Sequence, residues 1–294
     1  MIINAESLIG VFTAYKRAFS EGLRLANPEF MKFTMEVPSS SRQNQYGWLK
    51  QMPGVREWVG ERVYNNISTN QYVVPNRKWE STIEVERDDI EDDQFGEYAR
   101  AFQMLGRKAA LHPGKLVYET INAGDTLICY DGQPFFDTAH PMGNKTYSNI
   151  TTGGGEPWYV LDATQPVKPL GLQMRREFDL QMFINPTDPV VWQHDKYQFG
   201  GSGRYAGLYG LPQLAYRHEG TLNDANLDVV LTAMRRFKDD QGDPLDVTPN
   251  ILLVGAGNEY EGRKLVEAIN NDAGATNVFR NRLELIVSNY LAAS

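Results

Sequence analysis

The chain has few of the residues from which enzymes and metal sites are built. Its 294 residues include one cysteine and four histidines, so no internal disulfide can form, and no Cys/His cluster has the spacing of a zinc site. Basic residues are also in the minority. The 29 Lys and Arg stand against 37 Asp and Glu, for a net charge of −8, whereas proteins that mainly grip phosphates usually carry a basic excess. No apolar run approaches the roughly 18 residues of a membrane span, and we expect no secretion signal at the start.

The N-terminal region predicts a helix followed by an extended arm. Between residues 5 and 26, apolar side chains, among them Phe12 and Phe19, recur at three- and four-residue spacing and share one helix face. The next stretch, VPSSSRQNQYG at 37–47, is polar and without periodicity. Such an arm gains little by packing on itself. We therefore expect the stripe and the arm to lie on another surface.

Strict alternation then predicts a strand at 79–87, with Trp79 on the apolar side and Glu84 and Glu86 on the polar side. The polar segment 65–78, which contains a proline, favours a projecting two-stranded loop over a central strand. A long helix follows at about 93–123. It begins in an acidic run and contains Pro113, where we expect a kink or a restart.

The C-terminal part mixes strands and helices, which indicates an α+β protein. Asn258 and Glu261 have the spacing of a capping box for a helix to about residue 271. The glycine-rich stretch FGGSGRYAGLYG at 199–210 lacks the ending of a phosphate loop and favours a flexible or tightly packed connection. Strands are predicted at 158–162, 171–184, 249–254 and 283–288, and a helix at about 223–239.

Only one stretch suggests catalysis. DGQPFFDTAHP at 131–141 brings Asp131, Asp137 and His140 close to Cys129, so a Cys–His–Asp nucleophilic site is conceivable. Nothing nearby supplies an oxyanion donor or a nucleophile elbow. A turn-rich loop in which these side chains satisfy backbone groups is the better interpretation. We therefore expect no catalytic, cofactor-binding or metal-binding residue.

Taken together, six stretches resemble the Mu-like phage major head subunit family, in that family's order and over nearly the whole chain. One departure is GAGNEYEG at 255–262, which replaces a proline-containing stretch and concerns only the local turn. The matching stretches are SSSRQNQYGWLKQMPGVREWVGER at 39–62, WESTIEVERDDIEDDQFGEYARAFQMLGRKAA at 79–110, CYDGQPFFDTAHP at 129–141, PWYVLDATQPVKPLGLQMRR at 157–176, DDQGDPLDVTPNILLV at 239–254 and ATNVFRNRLELIVSNYL at 275–291.

The resemblance implies the Hong Kong 97-like capsid fold. Its parts would be an N-terminal arm at 1–54, an extended loop at 55–86, a peripheral domain with the long spine helix at 87–124, and an axial domain at 125–294 with strands returning to the peripheral domain. The implied function is that of a structural shell protein, not an enzyme, which forms hexamers and pentamers of an icosahedral head around double-stranded DNA. It would assemble in the host cytoplasm and end in the virion.

The implied partners are the protein itself, a scaffolding protein, a portal and a decoration protein, with non-specific contact to DNA. Scaffolding is expected from a separate protein. An encapsulin-like nanocompartment shell, or a hydrolase using Cys129 or Ser202 with His140, stays as an alternative. The residues predicted at subunit contacts are Phe12, Phe19, Arg56, Trp58, Arg62, Arg77, Lys78, Trp79, Glu84, Glu86, Asp89, Asp92 and Asp93.

Overall fold

The computed structural model describes residues 5–46, 72–92, 96–142, 145–183, 189–238, 242–271 and 274–291. Within these ranges, no helix is both long and apolar enough to cross a membrane. The helices are α1 (Ala5–Leu25), α2 (Arg87–Asp92), α3 (Glu97–Asn122), α4 (Pro189–His194), α5 (Asp224–Arg235) and α6 (Glu259–Glu267). The strands are β1 (Thr34–Pro38), β2 (Gln43–Gln45), β3 (Val73–Pro75), β4 (Arg77–Glu86), β5 (His140–Met142), β6 (Lys145–Tyr147), β7 (Ile150–Thr151), β8 (Trp158–Leu161), β9 (Leu170–Phe183), β10 (Lys196–Tyr209), β11 (Ala215–His218), β12 (Ile251–Val254) and β13 (Glu284–Val287).

A four-stranded sheet with the order β1-β9-β10-β4 forms one half of the fold. The two long strands, β9 and β10, lie in its centre and pair antiparallel, while β1 pairs parallel with β9 at one edge. At the other edge, β4 alternates between half-buried and exposed side chains until Val85, which is fully buried. The alternation read from the sequence therefore gives the correct inner and outer faces of this strand.

Helix α3 joins the two halves of the molecule. Its N-terminal half places Phe102 against Tyr15 and Phe199, and its C-terminal half places Val117 and Ile121 in a second core with strands of the other sheet. It is continuous from Glu97 to Asn122 and contains Pro113 in its interior. The acidic residues expected at its start form the separate short helix α2 instead.

Helix α1 packs on its own chain, which corrects one expectation. Tyr15 stacks on Phe102 with ring centroids 4.5 Å apart, and Phe19 is only 3% exposed. The apolar stripe is therefore covered by α3 and the four-stranded sheet, and Phe19 is a core residue of this subunit. Phe12 is half-buried against the same core.

The second half is a five-stranded sheet with the order β13-β12-β8-β11-β7. Strands β8 and β12 are buried along their whole length, because helix α5 packs its apolar face, including Leu227 and Val230, in the core on one side. Asn223 caps α5 by accepting a hydrogen bond from the backbone N–H of Asn226.

The stretch at 37–47 is extended, as expected, and parts of it pair as strands, since β1 ends at Pro38 and β2 pairs with β3. Two further expectations were wrong. The glycine-rich stretch is the central strand β10, where glycine fits because a Cβ at Gly201 would lie 2.2 Å from the Phe178 ring. Asn258 does not cap α6 through its side chain; its amide donates to the Glu156 carbonyl oxygen.

Candidate assembly interface

On the outer face of the four-stranded sheet, a basic cluster lies at one end of the strands and an acidic cluster at the other. Lys78 pairs in register with Arg204, and Arg204 pairs with Arg176. Three cations thus stand side by side across β4, β10 and β9. Like charges directly opposite one another destabilise a sheet, so this arrangement costs the isolated subunit stability.

A basic cleft of about 580 Å³ opens at this end of the sheet, under the β1–β2 connection. Arg42 and Lys78 are exposed at its rim, while Arg175 and Arg204 are half-buried in its wall. Across the described ranges, none of these four cations forms an ion pair. The Nε of Arg204 is buried and has no hydrogen-bond partner. We call this site the basic cleft; its polar lining is Ser41, Arg42, Asn76, Lys78, Arg175 and Arg204.

The opposite end of β4 and the adjoining helix α2 are acidic. Glu84 accepts a hydrogen bond of 2.7 Å from the neutral Gln198 amide, whereas Glu86 is paired with Lys196 at 2.8 Å. Asp89 accepts a hydrogen bond from the Tyr98 hydroxyl. Asp88 is exposed and has no ion pair or hydrogen bond within the described ranges. We call this acidic region, residues 84–89, the acidic end.

The residues predicted at subunit contacts have different positions. Arg77, Lys78, Glu84, Glu86 and Asp89 are exposed. Trp79 is half-buried and also contacts its own subunit, because its indole N–H donates to the Tyr205 carbonyl oxygen and its ring lies 4.7 Å from His112. Asp92 is the last residue of α2. Outside the described residues lie Arg56, Trp58, Arg62 and Asp93.

Several exposed apolar side chains escaped the sequence interpretation. Trp192 on α4 is 82% exposed, and Tyr260 on α6 is 74% exposed. Ile269 and Val278 lie near each other, since the Asn277 backbone N–H bonds to the Ile269 carbonyl oxygen, and both are mostly exposed. Aromatic side chains are enriched at protein interfaces. Exposure cannot be read from composition, so only the structure identifies these residues.

The loop considered for catalysis forms a buried polar cluster. Nδ1 of His140 lies 2.7 Å from Asp131 Oδ2, and Nε2 lies 3.1 Å from Asn149 Oδ1. The Asn149 amide nitrogen donates to the carbonyl oxygens of Phe135 and Pro212, so its oxygen is the acceptor. Asp137 accepts from the Ala139 backbone N–H. The ring of His140 therefore ties the loop to the body of the subunit.

Electrostatics in this cluster oppose nucleophilic chemistry. Burial and the neighbouring Asp131 carboxylate raise the pKa of the Cys129 thiol far above its usual range, and the thiol donates to Asp131 Oδ1. Burial alone would raise the pKa of Asp131, but hydrogen bonds from His140, the Gln133 N–H and Cys129 lower it. A protonated thiol is a poor nucleophile, so the cluster is suited to holding a loop.

The same cluster offers a sulfur, an oxygen and a nitrogen within 4.8 Å of one another. Three ligands fall short of the four that a structural zinc site uses, and each of these atoms already has a hydrogen-bond partner. The alternative nucleophile Ser202 lies in β10, where its hydroxyl accepts from Arg176. None of these contacts resembles a catalytic triad.

Comparison with known proteins decides the family. The sequence profile of the Mu-like prophage major head subunit gpT family matches residues 8–291. The chain belongs to this family. It is 35% identical over 305 residues to the major capsid protein of Escherichia phage Mu, covering 99% of this chain and 100% of that protein. It is 34% identical over 297 residues to the Mu-like prophage FluMu major head subunit of Haemophilus influenzae, covering 96% of each.

Solved structures agree with this family. A subunit of the procapsid of bacteriophage JBD30 superposes with a TM-score of 0.88 at 34% identity, covering 98% of this chain and 100% of that one. The JBD30 capsid subunit gives 0.82 at 27% identity, covering 99% and 100%. The predicted Hong Kong 97-like α+β fold and the predicted function are thereby confirmed: this head subunit is a major capsid protein of a Mu-like phage, located in the phage head.

Proposed function

We propose that this head subunit acts by assembly alone, forming hexamers and pentamers that close into an icosahedral shell around double-stranded DNA. The observation that carries the proposal is its likeness, over nearly the full length of both chains, to the subunit of a procapsid. The buried, protonated Cys129 thiol supports a role without a catalytic step. The net charge of −8 supports weak, non-specific contact with the packaged DNA.

Other head proteins complete the assembly in this proposal. A JBD30 capsid is decorated with minor capsid protein trimers, which supports a decoration protein as a partner here. A scaffolding protein is proposed as the component that selects one shell size among those the subunit alone can form, and a portal as the opening through which DNA enters.

The proposed subunit contacts use exposed charged residues of β4 and α2. Arg77 and Lys78 would face Glu84, Glu86 and Asp89 of a neighbouring copy. Such exposed pairs contribute only about 0–1 kcal/mol each, but a closed symmetric shell repeats them in every subunit. The other proposed contact residues are Phe12, Arg56, Trp58, Arg62, Asp92 and Asp93.

Electron microscopy and sedimentation of the purified full-length chain test the proposal. We expect closed particles to appear as the protein concentration rises, together with rings of five or six subunits. A chain that remains monomeric or dimeric at every concentration and salt condition would overturn it. A hydrolytic activity lost in His140→Ala would overturn the part that excludes catalysis.

A further inference from the structure

We infer that the basic cleft is the receptor for the acidic end of a second copy of this chain. The inference rests on the proposed function and deepens it by naming the two surfaces that meet. The first observation is the charge of the cleft, where four cations share about 580 Å³ and no described residue forms an ion pair with them. A site of this kind is stabilised when an anion enters it.

The chemistry of the cleft selects carboxylates. Arg175 and Arg204 present guanidinium groups, whose planar donors match a carboxylate with two parallel hydrogen bonds. The Nε of Arg204 is buried and has no hydrogen-bond partner among the described residues, so it is shielded from the cleft itself. An acidic side chain that reaches the wall of the cleft would neutralise the guanidinium charges without bonding to that atom.

The acidic end supplies matching groups. Asp88 is exposed, and within the described ranges neither it nor Glu84 forms a direct ion pair. Glu84 accepts a hydrogen bond from the neutral Gln198 and feels only the more distant charge of Lys196, whose ammonium group is bonded to Glu86. Glu86 and Asp89 are less available, since each already has a partner in its own subunit. Glu84 and Asp88 are therefore the side chains that we assign to the cleft of a neighbour.

The two surfaces cannot meet within one subunit. Lys78 and Glu84 are six residues apart on one extended strand, a distance of about 20 Å at 3.3 Å per residue. The pairing is therefore between copies. A reciprocal two-fold pair would end at a dimer, so we assign the head-to-tail arrangement, with the acidic end of each copy in the basic cleft of the next. Repeated head-to-tail contacts generate rings when the rotation closes, which is the arrangement that a hexamer or pentamer requires.

Nucleic acid fits the cleft less well. The cations are confined to one end of β4, and Glu80 stands two residues from Lys78 on the same outer face. A phosphate backbone crossing the sheet would meet that carboxylate and then the acidic end. The overall charge of −8 adds further repulsion.

Charge reversal and charge exchange in the full-length chain test the inference. The cleft variant is Arg42→Glu with Lys78→Glu, and the acidic-end variant is Glu84→Lys with Asp88→Lys; all four side chains are exposed. We expect each variant to need at least about tenfold more protein to assemble at low salt, because the attraction at every repeated contact is cancelled when the cleft becomes neutral and reversed when the acidic end becomes basic. The chain carrying all four changes should recover part of the loss, since the rim of the cleft and the acidic end are then both reversed while the two wall arginines are unchanged.

A matched control is Arg235→Glu with Arg236→Glu, which makes the same charge change at two exposed residues at the end of α5. If the control is impaired as much as the cleft variant, overall charge explains the loss and the inference is wrong. Failure of the fourfold variant to recover assembly, with thermal unfolding unchanged, also overturns it.

The remaining outcomes separate the inference from the proposed function. If the unaltered chain forms particles and the cleft variant does so equally well, only the inference fails. If that variant assembles normally but binds less of a fluorescent DNA duplex, the cleft is a nucleic-acid site and the inference fails. If the unaltered chain forms no particles at all, the proposed function fails together with it.

Discussion

Replacing one glycine at the α1–α3 crossing should destabilise the subunit, although alanine is the better helix former. The two helices approach closely through Gly22 and Gly106. A Cβ at Gly106 would lie 2.1 Å from the Phe19 carbonyl oxygen, and one at Gly22 would lie 1.9 Å from the Gln103 carbonyl oxygen. Both obstacles are backbone atoms, so no side-chain rotation can relieve the overlap.

The magnitude follows from the movement that Gly106→Ala demands. Raising 2.1 Å to the 3.4 Å of ordinary contact requires the helices to separate by about 1.3 Å. Overpacking of this kind costs about 1–3 kcal/mol. The separation also weakens the Tyr15–Phe102 stack, and burial of each such aromatic contributes about 1.5–3 kcal/mol. Against this, alanine gains about 1 kcal/mol of helix propensity. The net loss should be about 2–4 kcal/mol.

Urea unfolding of the unassembled subunit, followed by far-ultraviolet circular dichroism, measures the loss. Gly10→Ala is the control, because Gly10 lies in α1 with nothing within 4 Å of its Cβ position, and it should stabilise by about 0.5–1 kcal/mol. The double change at Gly22 and Gly106 should cost less than the sum of the single changes, since the first separation makes room for the second. If Gly106→Ala is as stable as Gly10→Ala, the close approach of the helices is refuted.

Further experiments address the buried cluster, the tyrosines and the contacts between subunits. His140→Ala should lose about 1–2 kcal/mol of unfolding free energy through its hydrogen bonds and abolish no reaction. Because the folded pKa of Asp131 is lowered from 3.8, its stabilising effect is present above that value and lost as the pH falls through the folded pKa; acid unfolding of Asp131→Asn should lack this component. Burial raises the pKa of Tyr118, Tyr159 and Tyr205 to about 12, so the unfolded chain loses these protons first. Between pH 10 and about 12, stability should fall by at most about 1.4 kcal/mol per pH unit for each tyrosine, and absorbance-monitored titration checks this. Particles boiled in denaturant should release monomers on a gel, because Lys78 is predicted to form ion pairs only, and a ladder of covalent multimers would contradict this.

The periodicity of apolar residues correctly predicted the helices and the strand that bury one face. The helix at 5–26, the strand at 79–87 and the helix after Asn223 all emerged within a few residues of their observed bounds. Strand β1 did not, because a five-residue strand with a parallel partner at Leu170–Met174 has no local signal. Strand β10 was missed because glycines that admit neighbouring side chains look the same in sequence as glycines of a loop.

The candidate site was predictable only in part. Lys78 and the acidic end were identified from sequence because like charges lie close together along the chain at each of these places. Arg42, Arg175 and Arg204 come from three separate segments, and only strand register brings them together. A register shift between Ser202 and Tyr205 also decides which side chains of β10 meet β9. Phe19 was misassigned because an apolar pattern does not say whether the same chain or a neighbour covers it.

The two faces of β4 affect different properties. The inner face contributes to the stability of the folded subunit, and the outer face contributes to the contacts between copies. Trp79 and Val85 pack inward, while Lys78 and Glu84 alternate with them and point outward. Because successive side chains of a strand point to opposite faces, charge on the outer face can change without opening the core. Each contact between copies can then be weak enough for a misplaced subunit to dissociate, although the subunit itself stays folded. A shell built from many such contacts can correct errors during growth and still be stable when closed, since every subunit repeats the contact.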